Sequence, residues 1–343
     1  MPEIGVVGAG SAAAAATFVL DGKADVTVLE KSGGLCGRAA TRRHGELTYD
    51  YGANYVKSDS DRVRELLTRT LDDDGLVDVT ERIDTFDEAG EVTPGREPGG
   101  HKWSYREGLT QIAKRLFGRT DAEIHRRTRV ETLRHDSGSE TWTLVDADGE
   151  VWGPFDAVLL NPPAPQTADL LRGADWASPA RESLVEAVED VPYRTIWTAV
   201  LHYPFELDLP YYALVNTDKE HEVGWIAREE CKRGHVPDGE SLLVVQANHD
   251  WSVEHYDDDP ASNVDALASH AADIVGDERL VDPDWTDHQG WRYALPDDGA
   301  LAGPLAAAED EGLYCTGDWV AGEARLHAAL ENGLEVGEAV SRK

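Results

Sequence analysis

Cations are scarce in this 343-residue chain, where 32 lysines and arginines stand against 66 aspartates and glutamates for a formal net charge of −34. A surface that acidic repels phosphate backbones and anionic lipid, so neither nucleic acid nor a membrane is an expected partner. Only three cysteines occur, Cys36, Cys231 and Cys315, far apart and without a Cys-x-x-Cys pair. That excludes a disulfide framework and points to a reducing cytoplasmic compartment. No apolar run approaches the ~20 residues of a membrane span, and the N-terminal one lacks the basic start of a signal peptide. The 12 histidines form no His-Glu-x-x-His and no Cys/His ladder, so no metal is expected. Repeats and low-complexity linkers are missing, and no catalytic dyad is apparent.

What is present begins with the first fifty residues. An apolar run, Ile4 to Val7, enters the turn Gly8-Ala9-Gly10, followed by an alanine-rich helix from Ser11 and a second strand, Asp25 to Leu29, that ends on Glu30. This is a βαβ unit suited to a dinucleotide. Gly8 permits the tight turn, Gly10 lets the backbone approach a pyrophosphate, and Ala13 lets helix and strand pack closely. The phosphates would lie at the helix N-terminus, where unpaired N–H groups and the dipole favour negative charge. Glu30 follows at the usual interval of about 20 residues and can accept from both ribose hydroxyls, which disfavours a phosphorylated ribose. Glycines Gly33, Gly34 and Gly37, with Arg38, then extend the loop, which suits FAD better than NAD, Arg38 neutralising the second phosphate.

Hydrophobic residues at 41% exclude disorder, and the length suits two interlocked domains. Leu47 to Val56 is strand-rich, with small residues at Gly52 and Ala53 where a flat ring could lie. Polar helix is expected from Asp59 to Thr70, strands and turns over Leu76–Lys102, and an amphipathic helix from Tyr105 to Phe117. Strands over Ala122–Leu160 are expected to complete the nucleotide-binding sheet. From Pro165 to Pro304, helices alternate with aromatic-rich strands, Thr195 to Tyr203, Glu222 to Ala227, Ser241 to Ala247 and Trp285 to Leu295, fit to wall an apolar cavity. A strand ending in Gly317-Asp318 and a helix from Ala324 to Ala339 close the chain.

Glu30-Lys31-Ser32 through Gly37-Arg38, with Thr41-Arg42-Arg43 and Asp50-Tyr51-Gly52-Ala53-Asn54-Tyr55, resemble the opening of renalase-like flavoproteins, a branch of the amine-oxidase-type FAD superfamily. Gly224-Trp225-Ile226-Ala227-Arg228, Trp251-Ser252, Trp291-Arg292-Tyr293 and Gly317-Asp318-Trp319 extend the resemblance over nearly the whole chain. It departs at Gly33-Gly34-Leu35-Cys36, at Glu229, Glu230 and Cys231, and at His327, where such proteins commonly carry an acid. The dispersed acidic surface resembles that of proteins from salt-adapted organisms.

The resemblance implies an α/β chain with a discontinuous Rossmann-like FAD-binding domain over 1–75, 119–164 and 305–343. An α+β substrate domain with a mixed, largely antiparallel sheet would be inserted over 76–118 and 165–304. FAD would be held without a covalent bond. Gly8, Ala9, Gly10, Ser11, Ala12, Glu30, Lys31, Gly37 and Arg38 would hold its ADP part, Val130 its adenine, and Gly52, Ala53 and Asn54 its ring. Gly317, Asp318, Arg325, Leu326 and His327 would close the site from the C-terminal side. The implied reaction is oxidation of aberrant dihydronicotinamide isomers of NAD(P)H by direct hydride transfer to flavin N5, with O2 giving H2O2. Trp225, Trp291 and Tyr293 are candidates to stack on the substrate ring, with Arg228 or Arg292 near its phosphates. Other readings are a flavin amine oxidase or desaturase-like enzyme, and a non-catalytic flavin-binding redox module.

Overall fold

The computed structural model describes residues 1–57, 59–95 and 99–343, so part of the excursion expected over Leu76–Lys102 lies outside the described residues. Five parallel strands form the nucleotide-binding sheet in the order Glu123–Arg126, Asp25–Glu30, Glu3–Val7, Ala157–Leu160 and Leu313–Cys315. The register is parallel throughout, with Ile4 opposite both Val26 and Ala157. Such strands are buried on both faces and read as continuous apolar runs. Alternate side chains accordingly enter two different cores. Val6, Val28 and Leu159 meet the helices Ser11–Leu20 and Leu326–Val340, whereas Val7, Leu29, Val158 and Leu160 meet Trp142, Leu144 and Phe155.

The alanine block has a packing reason that periodicity alone does not reveal. The C-terminal helix lies directly on the first helix, and a Cβ added at Gly333 or Gly337 would come within 2.2 Å of the Ala12 carbonyl oxygen or 2.7 Å of that of Ala16. Small residues at both positions of both helices let the backbones touch.

The second sheet has seven strands in the order Trp285–Pro296, Tyr193–Tyr203, Ser241–Ala247, Val223–Arg228, Tyr211–Asn216, Arg82–Phe86 and Val92–Thr93. Only the Tyr211–Asn216 and Arg82–Phe86 pair is parallel, so the sheet is mixed and largely antiparallel. One face, with Trp197, Leu201 and Leu243, packs on Val264, Leu267 and Ala271 of the helix Pro260–Val275. The other, with Val200, Leu242 and Val244, packs on Leu47, Tyr49 and Tyr51. The segment that follows the nucleotide unit is thereby pressed between the two sheets.

Three local expectations need correction. The helix expected from Tyr105 begins at Thr110, because Lys102–Tyr105 is a strand and Gly108, at φ +83°, turns the chain where a Cβ would collide with Thr41. The expected polar helix splits into an α-helical Asp61–Glu65 and a wider π turn over Leu66–Thr70. Of the strands over Ala122–Leu160, only the Glu123–Arg126 and Ala157–Leu160 strands join the parallel sheet, while Val130–Asp136, Thr141–Asp146 and Val151–Phe155 form an antiparallel layer of their own.

Gly333→Val should destabilise the protein by about 1–3 kcal/mol through overpacking against the first helix. Gly303→Ala, in a helix where no atom lies within 4 Å of the added Cβ, should be stabilising by roughly 0.5–1 kcal/mol. Denaturant unfolding of the two variants measures the contrast.

Candidate active site

The glycine turn is shaped as its sequence requires. Gly8 sits at φ +91°, and its N–H donates to the Leu29 carbonyl at 2.8 Å. Glu30 points back into the turn, where its two carboxylate oxygens accept from the Ala9 and Ser32 amides, each at 2.7 Å. These bonds fix the carboxylate and leave it further lone pairs.

Gly10 has a second role that the sequence does not disclose. A Cβ there would lie 2.4 Å from Asn161 Oδ1, which accepts the Gly10 N–H at 3.1 Å. The same amide donates through Nδ2 to the Thr316 carbonyl at 2.8 Å. Asn161, legible only as the end of a strand, therefore ties the nucleotide turn to the C-terminal segment. Asn332 completes the tie, its Oδ1 accepting from Thr316 Oγ1 at 3.0 Å and from the Gly317 amide at 2.9 Å. Arg38 donates to Asp318 Oδ1 at 2.7 Å and to the Ala294 carbonyl at 2.9 Å. Its charge is thus shared with a carboxylate, a pairing not foreseen when Arg38 was matched to a phosphate alone. At Gly52, a Cβ would meet the Arg38 carbonyl oxygen at 2.1 Å, so only glycine lets that loop close on the turn.

Beneath the Gly52 loop lies a fully buried charge network. Asp50 accepts from Thr41 Oγ1 at 2.6 Å, Ser104 Oγ at 2.8 Å and the Leu109 amide at 2.9 Å, and faces Lys232 Nζ at 3.1 Å. Lys232 also pairs with Glu229 at 2.7 Å. His235 Nδ1 meets Glu229 Oε2 at 2.7 Å and its Nε2 meets the Tyr105 carbonyl at 2.9 Å. Both ring nitrogens therefore have a hydrogen-bond partner. Burial opposes the Asp50 carboxylate, but Lys232, His235 and the Thr41 and Leu109 hydrogen bonds outweigh it and hold the carboxyl below its ordinary 3.8. Asp50, Glu229 and His235 offer ligand atoms within 4.8 Å of one another, yet Lys232 already supplies the cation between the carboxylates. Sequence reading missed this quartet because its members come from segments 180 residues apart; the signal available was Glu229 and Lys232 interrupting an apolar strand end.

A groove of about 1980 Å³ runs between the two sheets. Every residue assigned in the sequence to the cofactor or the substrate lines it except Ala9 and Arg228. Ala9 is buried, with its amide spent on Glu30. Arg228 is a correction: its guanidinium is buried outside the groove lining, with four of its five N–H groups donating to the Leu207, Leu209 and Tyr211 carbonyls and to Glu230. Trp291 reaches the groove edge but stacks on Tyr51 at 5.2 Å, with its Nε1 donating to the Tyr51 carbonyl at 3.2 Å.

The donor set fits an extended flavin dinucleotide. At one end the Glu30 carboxylate and the N-terminal turn of the first helix (Gly10, Ser11, Ala12) line the groove, and at the other the N-terminal turn of the C-terminal helix (Leu326, His327) does so. Both helix ends favour negative charge. Four buried polar atoms without a hydrogen-bond partner among the described residues belong to groove-lining residues: Asn54 Oδ1, Trp225 Nε1, His327 Nδ1 and Arg194 Nε, the last facing Asp297 as an ion pair. Such atoms are costly unless something bound there pairs with them.

Lys232→Met strips two buried carboxylates of their cation and should cost about 3–5 kcal/mol of folding stability, read by denaturant unfolding of the holoprotein. Because its folded pKa is depressed, Asp50 contributes stability that is complete above pH 3.8 and lost as pH falls through the lower folded value. An Asp50→Asn variant should therefore show a flatter decline in stability than the wild type below that pH.

Comparison with known proteins agrees with this arrangement. Residues 6–70 match the NAD(P)-binding Rossmann-like domain, and residues 81–341 match the flavin-containing amine oxidoreductases. A protein provisionally named a protoporphyrinogen oxidase, from Exiguobacterium sp. 255-15, superimposes with a TM-score of 0.80 at 15% identity over 99% of each chain. Cyclohexylamine oxidase from Brevibacterium oxydans IH-35A gives 0.76 at 14% identity, also over 99% of each chain. Reduced UDP-galactopyranose mutase gives 0.77 at 10% identity, over 99% of this chain and 94% of its own. At such identities the likeness shows the fold. The family match spans more than half of the chain, and with it the chain belongs to the flavin-containing amine oxidoreductases, as an enzyme whose cofactor is FAD.

Proposed function

We propose that this enzyme oxidises a dihydronicotinamide nucleotide reduced at the wrong ring position, the hydride passing to the bound flavin and the electrons on to O2 as H2O2. The observation that carries the reading is the charge of the groove where the second sheet faces it. In a chain with twice as many acids as bases, eight cations line the groove, Lys57, Arg194, Lys219, Arg292 and Arg325 among them. The lining as a whole carries eight lysines and arginines against five carboxylates, Glu30, Glu131, Asp169, Asp250 and Asp318, of which Asp318 is already bound to Arg38. Arg194 holds Asp297 at 2.7 Å, Lys57 lies 3.7 Å from Asp59 and Arg292 3.9 Å from Asp257, whereas Lys219 and Arg325 make no ion pair among the described residues. Unspent cations on an otherwise acidic protein favour a phosphate-bearing substrate and repel an ammonium.

On this reading, Glu30 takes the ribose hydroxyls of FAD, Val130 borders the adenine, and the first-helix amides with Lys31, Gly37 and Arg38 take the pyrophosphate. Gly52, Ala53 and Asn54 border the ring on one side, and Gly317, Asp318, Leu326 and His327 close it on the other. Trp225 and Tyr293 offer aromatic surface to the substrate ring and Arg292 a charge to its phosphate. The FAD is held without a covalent bond. Cys36, the cysteine at the groove, gives its thiol to the Leu109 carbonyl at 3.7 Å, and burial pushes that thiol up to about 12. A thiol so rarely ionised is a poor nucleophile. Hydride transfer needs no strong base, and the chain supplies orientation, a dry pocket and electrostatics.

Anaerobic mixing tests the reading. Dihydronicotinamide isomers should bleach the flavin absorbance and primary amines should leave it unchanged, while Arg325→Gln should raise KM for the nucleotide more than it changes kcat. Bleaching by amines alone would favour the amine-oxidase reading, and bleaching by neither a redox module. We also read the acidic surface as an adaptation to a salty cytoplasm. The melting temperature should then rise as KCl goes from 0.1 to 1 M, where the screening length shrinks from about 10 Å to about 3 Å.

A further inference from the structure

We propose that His249 selects substrates presenting a neutral carbonyl oxygen, by donating a hydrogen bond from Nε2 into the groove. The proposal rests on the dihydronicotinamide reading and deepens it, since the oxygen in question would be that of the ring carboxamide.

The backbone N–H of Thr195 donates to His249 Nδ1 at 3.0 Å. A main-chain amide can only donate, so Nδ1 is the acceptor and the neutral ring carries its hydrogen on Nε2. His249 lines the groove, and this is the ring's one hydrogen bond among the described residues. The remaining N–H is therefore a donor offered to whatever enters.

The ring is held on a rigid wall. Asn248, just before it, caps the helix His249–Glu254 by accepting from the Trp251 amide at 2.8 Å, and its own Nδ2 donates to the His221 carbonyl at 2.8 Å. Thr195 in turn donates through Oγ1 to the Arg292 carbonyl at 3.1 Å, so the tautomer-fixing residue also anchors a groove-lining cation. Donors set this firmly on secondary structure discriminate better than those on loose loops.

The chemistry of the fixed tautomer decides the ligand class. With Nδ1 spent, the ring has no lone pair to turn toward the groove. An alkylammonium, which only donates, finds no acceptor there; a carboxamide oxygen finds a donor. The histidine thus reinforces the exclusion of amines that the surrounding cations begin.

Two replacements separate this role from a structural one. In His249→Asn the side-chain oxygen can occupy the place of Nδ1 and keep the Thr195 bond while the groove donor is lost. In His249→Gln the side-chain amide reaches the place of Nε2 and restores the groove donor at the expense of the Thr195 bond. With the flavin-loaded enzyme under anaerobic conditions, the nucleotide concentration giving half-maximal flavin reduction should rise about 3- to 10-fold in His249→Asn, as for one lost hydrogen bond, with the limiting rate much less affected. His249→Gln should recover most of that loss. A dihydropyridine nucleotide lacking the carboxamide should not distinguish His249→Asn from wild type. Equal concentrations for wild type and His249→Asn, or a larger defect in His249→Gln than in His249→Asn, would overturn the proposal while leaving the functional reading intact. A wild-type flavin that no dihydronicotinamide isomer reduces would overturn both.

Discussion

The groove exists because one amide side chain joins two distant stretches of chain. Asn161 holds the Gly10 amide with its oxygen and the Thr316 carbonyl with its nitrogen, and so fixes the mouth of the glycine turn against the terminal segment. A buried amide that spends both ends is strongly constrained, because shifting either partner leaves a polar group unpaired in a low-dielectric setting. Everything proposed for the cofactor follows from that junction. It brings the first helix, the Glu30 carboxylate and the start of the C-terminal helix to one cavity.

Two kinds of information were unequally legible in the sequence. Local chemistry was plain: the Gly8 turn, the run Val26 to Leu29 and the return of Gly317-Asp318 each follow from backbone sterics or two-sided burial, and the parallel sheet is built as those stretches imply. Pairings that depend on partners far along the chain were hidden. Nothing in the Arg82–Phe86 stretch shows that it will pair with Tyr211–Asn216, and nothing in Arg228 shows that three carbonyls will absorb its guanidinium. The helix misplaced to Tyr105 fails for the same reason, because its true start is set by the closeness of Gly108 to Thr41, a contact across sequence.

Charge is distributed to a purpose visible only in three dimensions. Composition gives a uniformly acidic protein, yet among the charged residues that line the groove cations outnumber carboxylates. A positive cleft in a negative body focuses the field and gathers anions that the remaining surface turns away. Steering of that kind would favour the phosphate-bearing substrate proposed above before any contact is made.

The Asp50–Lys232–Glu229–His235 quartet lies at the seam between the Gly52 loop and the second sheet, sealed from solvent and with its cation placed between the two carboxylates. Ions in the medium can weaken exposed pairs, but they have no access to charges enclosed in this way. The Gly52 loop above it would then keep its shape across the same changes of medium that loosen or tighten the exterior, so that the shell answers to its surroundings while the seam does not.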